Sequence, residues 1–176
     1  MRSHFVILGL FGALMLAPAT TIERMSVEEM TAKATRIVRG KALPGEGVRR
    51  GGVIYTDYAF QVAETIKGPA EPRLRLTVPG GTLGAARQHF AGTPRLEPGQ
   101  DYVVFIWTSR SGVHHIIGLS QGLFNAQLNA AGEWVLRRGA ATAHVVDQHG
   151  KEVADVGLEL NWNELKRRVR GAGAVR

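Results

Sequence analysis

The sequence predicts a mainly β domain with one helix near each end, and three observations carry that prediction. Ile54, Tyr58, Phe60, Val62 and Ile66 share one face of residues 53–66, while Asp57, Gln61 and Thr65 take the other. That period of two is what a half-buried strand requires. Tyr102 to Trp107 is apolar on both faces, as expected of a strand in the middle of a sheet. Ser26-Val27-Glu28-Glu29 and Asn161-Trp162-Asn163-Glu164 are two capping boxes, each able to start a helix.

Taken in order, the chain opens on Met1-Arg2-Ser3-His4, a short cationic start, followed by an apolar run from Phe5 to Leu16. Ala17 and Ala19 then place small residues at the two positions a signal peptidase reads. The expectation is a cleaved signal peptide over 1–19 and a single exported domain over 20–176, periplasmic or secreted. The alternative, an uncleaved membrane anchor, fits less well, because a membrane-crossing helix needs about 20 apolar residues. No later segment approaches that length, so no transmembrane segment is expected after cleavage.

In the body of the chain, Val27, Met30, Ala34 and Ile37 recur at helical spacing, which predicts a helix over 26–36. A strand is expected over 37–43, then a basic, turn-rich loop over 44–52, then the long strand 53–66. Leu74, Leu76 and Val78 alternate with Arg73, Arg75 and Thr77, giving a strand with a basic outer face. Residues 80–100 hold Gly84, Gly92, Pro94, Pro98 and Gly99 and read as a long connection. Loops of that length are usually functional or mobile. Further strands are expected over 116–119, 123–128 and 134–137, the last two joined by Asn129-Ala130-Ala131-Gly132. A weaker pair is expected at 143–146 and 152–156. In the last helix Leu165 and Val169 face inward, and Lys166, Arg167, Arg168 and Arg170 suit a helix C-terminus through the macrodipole.

Composition bounds the function classes. There is no cysteine, which excludes thiol catalysis, zinc–thiolate sites and lipid attachment through an N-terminal Cys. It also leaves an exported domain without the roughly 2–4 kcal/mol that a disulfide typically contributes. The formal net charge is +7, which suits an anionic partner or simple solubility.

Three groups of residues are candidates for chemistry. Gly118-Leu119-Ser120-Gln121-Gly122 fits the nucleophile elbow of serine hydrolases, with Asp147 and His149 following in the required order. The segment after it reads as a strand rather than a helix, so a glycine-flanked turn is the competing reading. Among the histidines, His114 and His115 are adjacent and on a strand point to opposite faces, and His89, His144 and His149 lack ligand spacing; no metal site is expected. The connection 80–100 carries Arg87, His89, Phe90 and Arg95, an aromatic among basic residues suited to an anionic or peptide ligand. The competing reading is a surface loop pinned by Phe90 and Leu96. Arg73, Arg75, Arg137 and Arg138 would form a patch if their strands were neighbours. No motif that reads DNA or RNA accompanies these charges.

The run Ala34-Thr35-Arg36-Ile37-Val38-Arg39-Gly40-Lys41, then Glu64-Thr65-Ile66-Lys67-Gly68, then Leu96-Glu97-Pro98-Gly99-Gln100-Asp101-Tyr102-Val103-Val104-Phe105, resembles the netrin/tissue-inhibitor-like module over residues 26–124. It is also similar to a group of uncharacterised bacterial secreted proteins with the same cadence. The resemblance implies an OB-like, NTR-like β-barrel with flanking helices. Metalloprotease inhibitors of that type use an N-terminal cysteine on the catalytic zinc, and this chain has none, so their mechanism does not transfer. Such barrels bind oligonucleotides, sugars and proteins, so the fold does not choose among functions. The expectation is an exported, non-enzymatic binding module for a protein or an anionic envelope component, using Arg87, His89, Phe90 and Arg95 and needing no cofactor. A small serine hydrolase using Ser120, His149 as base and Asp147 as orienter is the alternative; a purely structural envelope component is a third.

Overall fold

Five strands close a ring in the computed structural model, which describes residues 21–173. The signal-peptide reading, with Ala17 and Ala19, lies outside the described residues. The chain runs β1 (Thr21–Glu23), α1 (Val27–Lys33), β2 (Arg36–Arg50), β3 (Val53–Lys67), β4 (Arg73–Pro79), β5 (Gly81–Leu83), β6 (Ala86–Gln88), β7 (Asp101–Thr108), β8 (His114–Ile116), β9 (Leu123–Leu128), β10 (Trp134–Arg138), β11 (His144–Val146), β12 (Leu158–Asn161) and α2 (Trp162–Gly173). The large sheet has the order β12-β10-β9-β7-β2-β3-β4-β8, and β8 pairs back onto β7. The ring is therefore β7-β2-β3-β4-β8, with β9, β10 and β12 continuing the sheet outward from β7. The fold is mainly β with two helices, one near each end, as the alternation and the capping boxes predict.

Period-two alternation sorts the apolar residues into two cores. Phe60, Leu74, Leu76, Val104, Ile106 and Ile116 fill the ring. Ile37, Val103, Phe105, Phe124 and Leu136 point the other way and pack against Val27 and Met30 of α1 and Leu165 and Val169 of α2. Tyr102 to Ile106 are buried on both faces of β7 because each face meets one of these cores.

Both caps form, in part through different groups than the charges suggest. Ser26 accepts from the Glu29 N–H, and Glu29 reaches back to the Ser26 N–H. Hydrogen bonds donated to the Glu29 carboxylate by the Ser26 backbone N–H, foremost, and by the Ser26 hydroxyl hold its pKa below the ordinary range. Asn161 accepts from the Glu164 N–H at 2.7 Å. Arg168 does more than complement a helix terminus: it grips Glu28 of α1 with two hydrogen bonds, at 2.6 and 2.8 Å.

The structure corrects several element boundaries. The first helix stops at Lys33, not 36, because Ala34 turns extended and the Thr35 N–H donates to Ile106 O, committing the next residues to the sheet. The loop expected over 44–52 is strand: β2 continues to Arg50 and pairs with β3 across the turn at Gly51-Gly52. Pro44 is tolerated because it falls in the register shift between Ala42 and Gly45, where no ladder donor is needed. The connection 80–100 contains the hairpin β5–β6. The strand expected over 116–119 ends at Ile116, since Gly118 and Leu119 both have φ near +57° and break the ladder. The strand expected over 152–156 reduces to one bridge, Val146 with Glu152.

Two residues assigned to the outer, polar face are buried. Asp57 is 8% and Thr77 is 2% exposed. Thr77 Oγ1 donates to Asp57 Oδ1 at 2.8 Å, and Arg50 Nη2 to Asp57 Oδ2 at 2.6 Å. A carboxylate with partners on both oxygens is tolerated out of water, where a lone one is not.

Candidate functional site: a cationic cleft beside the ring

β2 and β3 are each 15 residues long, whereas β4 ends at Pro79. β7 pairs with β2 only over Arg36–Lys41, so the distal parts of β2 and β3 project past β7 as an arm that β4 accompanies as far as Tyr55. The β5–β6 hairpin lies on the inner face of that arm. Small residues permit this: a Cβ on Gly47 would strike Thr82 O, and one on Gly45 would strike the Tyr58 ring at 2.6 Å. Gln88 fastens the hairpin, accepting from the Ile54 N–H at 2.6 Å and donating to Gly52 O at 3.1 Å. Thr56 Oγ1 donates to Gly80 O at 2.8 Å.

Residues 89–98 close the other side. Leu96 is buried in the ring core, and the Glu97 N–H donates to the Tyr102 hydroxyl at 2.9 Å. Thr93 bonds to Phe90 O through both its N–H and its hydroxyl. Between arm, hairpin and this segment lies a cleft of about 520 Å³ lined by Arg87, His89 and Arg95. Thr56, Thr82, Thr93, Gln88 and four prolines complete the polar and small lining, and no Asp or Glu is part of it. Three of the four candidate binding residues thus meet in one place. The fourth, Phe90, is half-buried and packs towards Gly80 instead of lining the cleft. Tyr58 forms part of the floor; burial raises its pKa, partly offset by a hydrogen bond from the Leu96 backbone.

Reading 44–52 as a loop hides the wall contributed by Gly45 and Gly47, and with it the strand that pairs with Thr56. The signal was available: a two-glycine turn flanked by Gly45-x-Gly47-x-Arg49 and Ile54-x-Thr56-x-Tyr58, two alternating runs of equal length.

The other candidates fall elsewhere. Ser120 sits in a turn between two strands, with the next strand, β9, starting three residues later. Its N–H donates to Gly92 O, and its Oγ is buried with no hydrogen-bond partner among the described residues. Asp147 Oδ1 accepts from the backbone N–H groups of His149 and Lys151, so the carboxylate caps a tight turn. The His149 ring meets Gln148. Asp147 and His149 line a second cleft, of about 530 Å³, whose lining does not include Ser120. The Ser120, His149 and Asp147 side chains make no hydrogen bond to one another. Gly118-Leu119-Ser120-Gln121-Gly122 serves as a tether: Gln121 is fully buried, accepts from the Met25 N–H and donates to Glu23 O.

The arginines expected to form one patch are separated. β4 and β10 lie four strands apart, Arg137 pairs with Glu159 at 2.7 Å, and Arg138 is buried against Asp155. His114 and His115 do face opposite ways: His114 Nδ1 meets Thr108 Oγ1 at 2.9 Å, and His115 stacks on Trp107 with ring centroids 5.6 Å apart. No described helix is long and apolar enough to cross a membrane. Comparison with protein-family models, with curated proteins and with solved structures finds no match.

Proposed function

We propose that this protein is an exported, non-enzymatic binding module with an OB-like β-barrel, and that its cleft captures an anionic envelope component. One observation carries the reading: Arg87, His89 and Arg95 converge on a cleft with no acidic residue in its lining. A concave site with basic groups on two walls holds an anion by charge-assisted hydrogen bonds, and guanidinium groups suit carboxylate and phosphate oxygens geometrically. The cleft is held by backbone pairing and buried anchors such as Leu96, so it is formed before a ligand arrives. The alternative serine hydrolase has no comparable support, since its three side chains do not meet.

The test is crosslinking and pull-down from the native envelope with the wild-type chain and with Arg87→Ala/Arg95→Ala. The double variant loses capture at least about a hundredfold, the scale expected on removing two charge-assisted contacts of about 1.5–3 kcal/mol each, while its unfolding midpoint is unchanged. Equal capture by the two proteins refutes the reading.

A further inference from the structure

Alternation along β2 extends the cleft beyond its own lining. Gly45, Gly47 and Arg49 pair with Tyr58, Thr56 and Ile54, with no register shift between them. Residues paired in this way project from the same face. Arg49 therefore points to the side of the arm on which Gly45 and Gly47 wall the cleft, and it is exposed. Neither Arg49 nor Arg87 has an ion-pair partner among the described residues; Arg95 has one, Glu97, in an exposed pair at 3.3 Å. Four strand steps separate Gly45 from Arg49, about 13 Å. Basic groups thus continue from Arg95, His89 and Arg87 to the arm tip, farther than one small anion reaches.

The lining also has a chemistry beyond charge. It offers hydroxyl oxygens at Thr56, Thr82 and Thr93, the Gln88 amide, and ring faces from Pro44, Pro79, Pro94 and Pro98. Among the described residues no Trp or Phe lines it, and Tyr58 is 7% exposed, so these residues offer no platform on which nucleobases would stack. Its aliphatic members Val78 and Leu96 are themselves buried, leaving no apolar pocket for a peptide side chain. Hydroxyls, amides and flat non-aromatic surfaces between spaced guanidinium groups match a hydroxylated chain with regularly repeated carboxylates.

Resting on the reading of the cleft given above, we propose that its ligand is an extended acidic polysaccharide, held over several sugar units from Arg95 to Arg49. The test is calorimetric binding of galacturonate and of its dimer and hexamer to the full chain, with polyphosphate, single-stranded DNA and oligoglutamate of equal charge alongside. The hexamer binds at least tenfold more tightly than the dimer, as linked contacts require. Arg49→Gln weakens the hexamer severalfold and leaves the dimer unchanged, and Arg87→Gln/Arg95→Gln weakens both. Binding of polyphosphate, DNA or oligoglutamate through Arg87 and Arg95 without binding of the hexamer overturns the polysaccharide and leaves the anionic cleft standing. Hexamer and dimer affinities that are equal, or equally reduced by Arg49→Gln, overturn the extended site. Binding of any of these probes that ignores Arg87→Gln/Arg95→Gln, or no binding at all, overturns the cleft as well.

Discussion

Removing the Asp155 carboxylate should be among the most damaging single changes this fold can suffer. Arg138 and Asp155 have side chains 8% and 2% exposed. Arg138 Nη1 and Nη2 donate to the two Asp155 oxygens at 2.6 and 3.1 Å, and the Ala141 N–H donates to Oδ2 at 2.6 Å. Burial raises the pKa of Asp155, but the hydrogen bonds from Arg138 and Ala141 and the charges of Arg138 and Arg24 outweigh it and hold it below 3.8. Asp155→Ala leaves the guanidinium buried without its counter-ion. Breaking a buried pair in this way costs about 3–5 kcal/mol, which for a domain of this size lowers Tm by about 6–20 °C. Arg138→Met/Asp155→Ala removes both charges and recovers most of the loss. Urea unfolding of the two variants and the wild type is the assay. A loss below about 1 kcal/mol for Asp155→Ala, the value of an exposed pair, or a double variant no better than the single one, refutes the assignment of a desolvated ion pair.

Two further outcomes follow from single side chains. Ser120→Ala leaves stability unchanged or raises it by up to about 1 kcal/mol, because the buried Oγ has no partner to lose among the described residues; a fluorophosphonate probe labels the wild type no more than this variant, and Ser120-dependent labelling would instead establish a nucleophile. The pKa of His114 is lowered by burial and then by Arg36, and that of His115 by burial and then by Arg50. With folded pKa values below 6.5 the unfolded chain binds more protons, so their contribution is complete above that pH and is lost as pH falls through the folded values. Urea midpoints should drop from about pH 7.5 to about pH 5, and His114→Gln/His115→Gln should flatten that drop; an equal slope in the variant contradicts the assignment.

The strands and helices were legible wherever a side-chain period expresses a single burial direction. Residues 53–66 are of this kind, whereas 102–107 were legible because both faces are apolar, and the helix starts because a capping residue lies three positions from the N–H it receives. The positions that were not legible share a physical cause, which is that tertiary contacts supplied what the local sequence lacked. Glycines at 45 and 47 look like loop residues, yet they are where the Tyr58 and Thr56 side chains and the Thr82 backbone, respectively, come too close for a Cβ. Asp57 and Thr77 look like solvent-facing positions, and become buried only because Arg50, seven residues away, completes the carboxylate. In the candidate site, Arg87, His89 and Arg95 stood out as basic residues on a long connection, whereas the arm forming the opposite wall depended on extending β2 past Pro44. Phe90 carried no signal that separates a binding aromatic from an anchor.

The ring also governs how this chain meets copies of itself. A sheet that curls back on its last strand leaves few unpaired backbone groups, and β8, the terminal strand of the order, is bonded on both sides by β4 and β7. Among the described residues the other terminal strand of the order is β12, which is four residues long, bears Glu159 and runs directly into α2, while β2 past Lys41 is paired on its β3 side alone. A short, charged margin is a poor template for strand addition. For a protein with no disulfide to lock its unfolded forms, this geometry limits aggregation through strand edges.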